Sequence, residues 1–322
     1  MMKKTLAALA AALISFACCA AALAQGYPSQ PVKVLVGFPP GGTTDVMGRL
    51  TAQELAVQTG KPFVVENRPG ASGSIAAGAV AKSAPDGHTL IMVPSTYGTA
   101  SALYDNLPYS ESDLTPVGLI GSTPYVFVVH PSIPVASFGE LIRLLKQNPG
   151  KYEFASSSPG TAQHLGGELV KRMAGVDMLH VPYKGSGALL PDLLSGRVPM
   201  MFENVAIMTP HIKKGSLKPL AISSAKRSAL MPEVPTVAET GVNGFAINGW
   251  YGIVAPAQLS ADVTAKLSQA IEDVLRDPEL VARLQQEGEE VAASTSAEFA
   301  ALLRSDYEKY RGIVASSGLQ AK

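Results

Sequence analysis

The chain has 322 residues, 47% hydrophobic and 16% charged, with 26 basic side chains against 26 acidic ones. That balance supplies no electrostatic footprint for nucleic acid or an anionic membrane, and the apolar content is too high for a disordered chain. A chain of this length is more than one hydrophobic core ordinarily fills, so two domains are expected.

The first residues read as an export signal. Lys3 and Lys4 form the positive region, Leu6 to Ala17 the short apolar stretch, and Ala22-Leu23-Ala24 the small-residue cleavage site. A signal peptide over 1–24, cleaved after Ala24, sends the mature chain to the periplasm. A membrane anchor is the weaker reading, because the apolar stretch is short, alanine-rich and followed at once by Gly26, Tyr27 and Pro28. Both cysteines, Cys18 and Cys19, lie inside this leader, so the mature chain is expected to carry no disulfide and no thiolate ligand. Without Lys3 and Lys4 the net charge is about −2.

The first mature element is the run Val34-Leu35-Val36, which breaks into Gly37-Phe38-Pro39-Pro40-Gly41-Gly42-Thr43-Thr44-Asp45. This is a strand, a glycine turn and a helix N-terminus. Unpaired backbone N–H groups at such an end make a site for a carboxylate or phosphate without any cationic side chain. Val46, Leu50 and Val57 mark the core face of that helix, which Gly60 ends.

Strands are then expected over Val32–Gly37, Phe63–Glu66, Thr89–Val93, Val117–Ile120, Tyr125–Val129, Tyr152–Ser156, Met178–Val181, Val198–Phe202, Pro219–Ile222 and Tyr251–Val254. Apolar on both faces and alternating with helical patterns, they predict an α/β protein with mostly parallel sheets flanked by helices. Ser137 with Glu140 and Thr295 with Glu298 have capping-box spacing, and Ser260 is placed as a cap. Gly150, Gly175, Gly215 and Gly288 stand where helices stop. Leu165, Leu169 and Met173 mark the core face of a later helix.

An internal echo organises these elements. Pro40-Gly41-Gly42-Thr43-Thr44-Asp45-Val46-Met47-Gly48-Arg49-Leu50 lies over Pro159-Gly160-Thr161-Ala162-Gln163-His164-Leu165-Gly166-Gly167-Glu168-Leu169, matching the turn, the interior glycine and the apolar face. The copies are about 120 residues apart, which suggests one in each domain. Two helix N-termini facing each other would clamp an anion between lobes. Hydroxyls gather in the same loops: Thr43 and Thr44 in the first, Ser156, Ser157, Ser158 and Thr161 in the second. A third strand-to-helix loop, Asn67 to Ser74, carries Ser72 and Ser74.

The charged residues near these loops have simpler readings. Arg49 and Arg68 are expected to be structural ties; Asp45, Glu66 and Glu203 are candidate acceptors for a ligand ammonium, the simpler reading being a cap for Asp45 and an arginine partner for Glu66. Glu203, at the end of its strand, is the hardest to explain structurally. No Gly-x-Ser-x-Gly elbow, nucleotide loop or metal-ligand spacing is present, and His88, His130, His164, His180 and His211 are scattered. No catalytic residue, metal or cofactor is assigned.

Several motifs in order carry a family resemblance. Gly37-Phe38-Pro39-Pro40-Gly41-Gly42 with Asp45 and Arg49, Val65-Glu66-Asn67-Arg68-Pro69-Gly70-Ala71, Pro85-Asp86-Gly87, His164-Leu165, His180-Val181-Pro182-Tyr183-Lys184-Gly185 and Pro232-Glu233-Val234-Pro235-Thr236 resemble the Bug (TctC-like) family, the extracytoplasmic solute receptors of tripartite tricarboxylate transporters. The resemblance implies a two-lobed periplasmic binding protein fold of the type II kind, with lobe 1 over 26–126 plus 250–322 and lobe 2 over 127–249. It implies a monomer that holds a small carboxylated solute between the loops Phe38 to Asp45 and Ser156 to His164, and membrane transporter subunits as partners. The ligand-binding candidates are Phe38, Pro40, Gly41, Gly42, Thr43, Asp45, Ser72, Ser95, Ser158, Gly160, Thr161, His164, Tyr183 and Glu203. The solute is left open among a dicarboxylate, a tricarboxylate, an acidic amino acid and an aromatic acid. Ser72, Ser158 followed by Pro159, and Glu203 depart from the family's usual residues, each adding bulk or a polar group near the presumed pocket. Two alternatives stand: a receptor signalling to a sensor partner, and a serine hydrolase.

Overall fold

The computed structural model describes residues 26–104, 106–183 and 185–317; the expected signal peptide and its cleavage site lie outside them. In the first half, β1 (Val32–Val36) leads into α1 (Thr43–Thr59), β2 (Phe63–Asn67) into α2 (Ser74–Ala81), and β3 (Thr89–Pro94) into α3 (Thr96–Leu103); β4 (Leu114–Thr123) follows. The middle of the chain holds β5 (Tyr125–Val129), α4 (Phe138–Gln147), β6 (Glu153–Ser156), α5 (Ala162–Ala174), β7 (Leu179–Pro182), α6 (Ser186–Leu194), β8 (Met200–Asn204), α7 (Val205–Lys213) and β9 (Lys218–Ile222). The last part holds β10 (Gly249–Pro256), α8 (Ala261–Val274), α9 (Pro278–Gln286), β11 (Glu290–Val291) and α10 (Ser296–Ser317).

These strands form two sheets, ordered β11-β4-β10-β3-β1-β2 and β7-β6-β8-β5-β9. Both are mixed rather than mostly parallel. β1 pairs in parallel with β2 and β3, and β6 with β7 and β8, whereas β10 runs antiparallel to β3 and β4, and β5 antiparallel to β8 and β9. The cause is connectivity. β4 ends at Thr123 in one sheet and β5 starts at Tyr125 in the other. A strand entered from the neighbouring sheet starts at the edge where its parallel neighbours finish, so it must run against them. β10 enters the six-stranded sheet at Gly249 in the same way. The carboxyl ends of β1, β3, β6 and β8 therefore face the crossings, the usual place for a ligand in an α/β sheet.

Each sheet is covered on both faces. Met47, Leu50 and Leu55 of α1 pack with Leu267 and Ile271 of α8 on one face of the six-stranded sheet; Ala76 and Val80 of α2 pack with Phe299 and Leu303 of α10 on the other. Phe138 and Leu141 of α4 with Leu165 and Leu169 of α5 cover one face of the second sheet, and Leu189 of α6 with Met208 of α7 the other. Each of these side chains larger than alanine contributes roughly 1.5–3 kcal/mol by leaving water. Val57 and Met173, expected in the core, are 76% and 38% exposed. They lie near the helix ends; α1 buries Met47, Leu50, Thr51 and Leu55 instead.

α10 is shared. Its first turns pack with the six-stranded sheet through Phe299 and Leu303, while Tyr310 and Ile313 belong to the core of the five-stranded sheet. At 22 residues it is about 33 Å long, enough to span both. Asp306 anchors it at the second crossing, accepting from Trp250 Nε1 at 2.7 Å and from Tyr310 at 3.3 Å.

Candidate functional site

The two echoed turns have the same backbone. Gly41 and Gly160 take φ of +81° and +78°, a region that favours glycine. The helix caps that follow, Gly42 and Thr161, have φ/ψ of −79°/162° and −71°/160°. The agreement extends to side chains: Gly41 N–H donates to Asp45 Oδ2 at 2.9 Å, and Gly160 N–H donates to His164 Nδ1 at 3.1 Å. Asp45 and His164 occupy equivalent positions of the echo. Each turn is thus tied back to its own helix, leaving the helix N-terminus to face outward.

Both N-termini open on one cavity of ≈ 240 Å³. Phe38, Thr43 and Thr44 line it from the first turn, and Ser157, Thr161, Ala162 and Gln163 from the second. Three further strand ends contribute. Pro94, Ser95 and Thr96 come from the start of α3, Ser186 from the start of α6, and Glu203, Asn204 and Ile207 from the junction of β8 and α7. The crossings supply the rest, Thr123 and Tyr125 at the first and Tyr251 at the second. Five helices therefore begin at this cavity, and Gly42, Ser95 and Gly185 cap three of them with no side-chain hydrogen bond. First-turn N–H groups carry the positive end of the helix dipole, so they offer donors to an anion although no lysine or arginine is among the described lining residues.

Glu203 is the one described lining residue with formal charge, and it is 2% exposed. Its Oε1 accepts from Gln163 Nε2 at 2.7 Å and from the Asn204 N–H at 2.8 Å. Burial pushes its carboxyl above the usual range, while hydrogen bonds from Ser186, Asn204 and Gln163 pull the other way. Gln163 is held in place by Ser157, whose N–H and hydroxyl both donate to its Oε1. Tyr125 and Tyr251 stay protonated, because burial and the neighbouring acids raise both phenols.

Of the sequence candidates, the structure brings Phe38, Thr43, Ser95, Thr161 and Glu203 together on this wall. Pro40, Gly41 and Gly42 shape the first turn behind them, and Ser158 and Gly160 the second. Asp45 is 3% exposed and bonded to Gly41, Arg49 and Asn67, the structural arrangement weighed for it above. His164 is fully enclosed behind the second turn. Ser72 meets the Tyr104 hydroxyl at 3.0 Å, and Tyr183 donates to Asp192 at 2.7 Å; neither lines the cavity. Glu66 pairs with Arg68 and Lys33. Thr123, Tyr125, Ser186, Asn204 and Tyr251 were not singled out. Asn204 and Ser186 had a readable signal, a polar residue where a strand gives way to a helix. Thr123, Tyr125 and Tyr251 stand beside the expected lobe boundaries, but nothing in their local pattern marks them as lining residues.

A serine nucleophile finds no support in this geometry. Ser156 Oγ lies 2.7 Å from His180 Nε2, a serine–histidine contact, yet Ser156 has no exposed surface and sits beneath its loop. Two mixed sheets with a polar, helix-ended cavity at their crossings define a solute-binding receptor of the periplasmic binding protein fold. Residues 47–319 match the family described as the tripartite tricarboxylate transporter family receptor, and the chain belongs to that family. It is a receptor rather than an enzyme. Protein BugT of Bordetella pertussis is 36% identical over 302 residues, 93% of each chain. Among solved structures, R. palustris Rpa4515 with adipate is 32% identical with a TM-score of 0.76, covering 92% of this chain and 99% of that one. MatC from Rhodopseudomonas palustris with bound malate is 30% identical with a TM-score of 0.72, covering 89% and 100%.

Proposed function

We propose that this chain is a periplasmic receptor that captures a small carboxylate solute between the turns Phe38 to Asp45 and Ser156 to His164, and delivers it to the membrane subunits of a tripartite tricarboxylate-type transporter. The observation that carries this reading is the pair of matched turns, whose helix N-termini, the first without a side-chain cap and the second capped by Thr161, face one cavity that has no basic side chain among its described lining residues. Main-chain donors of this kind hold a carboxylate without a counter-charge. The dicarboxylates named for Rpa4515 and MatC support the ligand class. The leader read from residues 1–24 and the family itself support the compartment.

We take the lobes as 26–126 with 250–322 and 127–249, with the hinge at the crossings 123–125 and 248–250; the passage of the chain from one sheet to the other at these points supports the reading. Closure about these crossings sets the spacing of the two turns and presents the transporter with a changed surface.

Gly160→Val tests the clamp. A Cβ at Gly160 falls 2.4 Å from Leu103 Cδ1, and its φ of +78° strains any branched residue. The variant is expected to fold, by circular dichroism, and to bind carboxylates about a hundredfold more weakly by calorimetry. Unchanged affinity in the folded variant contradicts the two-turn clamp. Loss of solute uptake in cells lacking the protein, with normal uptake of unrelated nutrients, is the expected sign of coupling to transport.

A further inference from the structure

The cavity wall carries one charge, and the atoms around it say which ligand chemistry completes it. Every described partner of the Glu203 side chain is a donor: Gln163 Nε2–H and Asn204 N–H on Oε1, and the Ser186 hydroxyl. Gln163 cannot be turned to offer its oxygen, because that oxygen is engaged by Ser157. The pocket is therefore wired to present Glu203 as an acceptor. A buried carboxylate with donors but no counter-ion pays most of its desolvation cost, and no described residue of the wall supplies a positive group.

We infer that Glu203 is a specificity-determining residue that selects solutes carrying an ammonium group beside the carboxylate, so that the ligand is an amino acid or other amino-carboxylate rather than a plain dicarboxylate. The solute's carboxylate takes the helix N-termini, and its ammonium lies against Glu203. A second carboxylate at that position meets a like charge in a site of low dielectric. This inference rests on the carboxylate-receptor reading above and narrows it.

The test uses the mature protein, unfolded and refolded to strip retained ligand, in calorimetry against pairs that differ only by the ammonium: L-aspartate and succinate, L-glutamate and glutarate, L-phenylalanine and 3-phenylpropionate. In the pair whose skeleton fits, the amino member is expected to bind about tenfold to a hundredfold more tightly. Glu203→Gln is expected to bring the two members within about threefold. Equal or tighter binding of the plain acid to the wild-type protein overturns the inference while leaving carboxylate capture intact. Absence of binding by all six compounds overturns the inference, and failure of tricarboxylates and other carboxylates as well overturns the receptor reading. The wild-type pairs decide the matter even if the variant fails to fold.

Discussion

Asp45 shows how one side chain sets the shape of a binding turn. Its Oδ2 accepts from Gly41 N–H and from Arg49 Nε, both at 2.9 Å, and its Oδ1 accepts from Asn67 Nδ2 at 2.8 Å. Asn67 in turn donates to the Phe38 carbonyl at 3.0 Å, so the first turn is stitched to the end of β2. Burial pushes the carboxyl up, but the hydrogen bonds from Arg49, Gly41 and Asn67 outweigh it and hold Asp45 below the usual carboxylate range. The stabilisation this confers is present above the unfolded pKa and is lost as pH falls through the folded one. Asp45→Ala is expected to cost about 1.5–3 kcal/mol in urea unfolding at pH 7, and to weaken carboxylate binding because Gly41 loses its tether. A variant with the wild-type midpoint and affinity would show that the turn holds its shape without Asp45.

At the scale of elements, the second turn is held from behind by a histidine pair that joins α5 to β7. The rings of His164 and His180 stack with centroids 3.6 Å apart and planes 9° apart, and His180 meets Ser156 at the end of β6. Nδ1 of His164 must be unprotonated to accept from Gly160 N–H. Burial, with Lys171 nearby, lowers His164 to about 3 and His180 to about 4, and His180 adds to the lowering of His164. Unfolded histidines take up protons below about pH 6.5 and these do not, so stability is complete above that pH and falls as pH drops towards 4, by about 1.4 kcal/mol per pH unit for each proton. Unfolding midpoints between pH 7.5 and 5 should show this slope, and His180→Phe, which keeps a stacked ring, should reduce it; a flat profile in the wild-type protein would contradict the buried neutral pair.

The turns were legible because a β-branched run, a Pro-Gly break and a helical stripe are local signals, and the repeat of all three aligned Asp45 with His164. Strand direction was not, since whether β5 or β10 runs parallel depends on which sheet the chain enters. β11, two residues long, has no pattern to read. Gln163 stands at the echo position of Thr44, and both line the cavity; comparison of the copies position by position marks it.

The whole molecule joins its sheets at 123–125, at 248–250 and through α10, whose Tyr310 and Ile313 pack in the second core. At the first crossing Thr123 sits 2.7 Å from both carboxyl oxygens of Glu289, a fully enclosed acid that burial raises to about 7. Between these joints, Thr99 of α3 reaches across to the Gly160 carbonyl at 3.3 Å. The sheets are therefore linked on several sides of a cavity that their helix ends make suitable for an anion. Refolded mature protein is the material for the direct test of that claim: a thermal-shift panel of mono-, di- and tricarboxylates, acidic amino acids and aromatic acids. A ligand at a hundred times its Kd adds about 2.7 kcal/mol and should raise Tm by roughly 5–10 °C. A shift confined to one carboxylate class is the predicted result. A folded protein that melts at the same temperature with every carboxylate in the panel would contradict carboxylate capture.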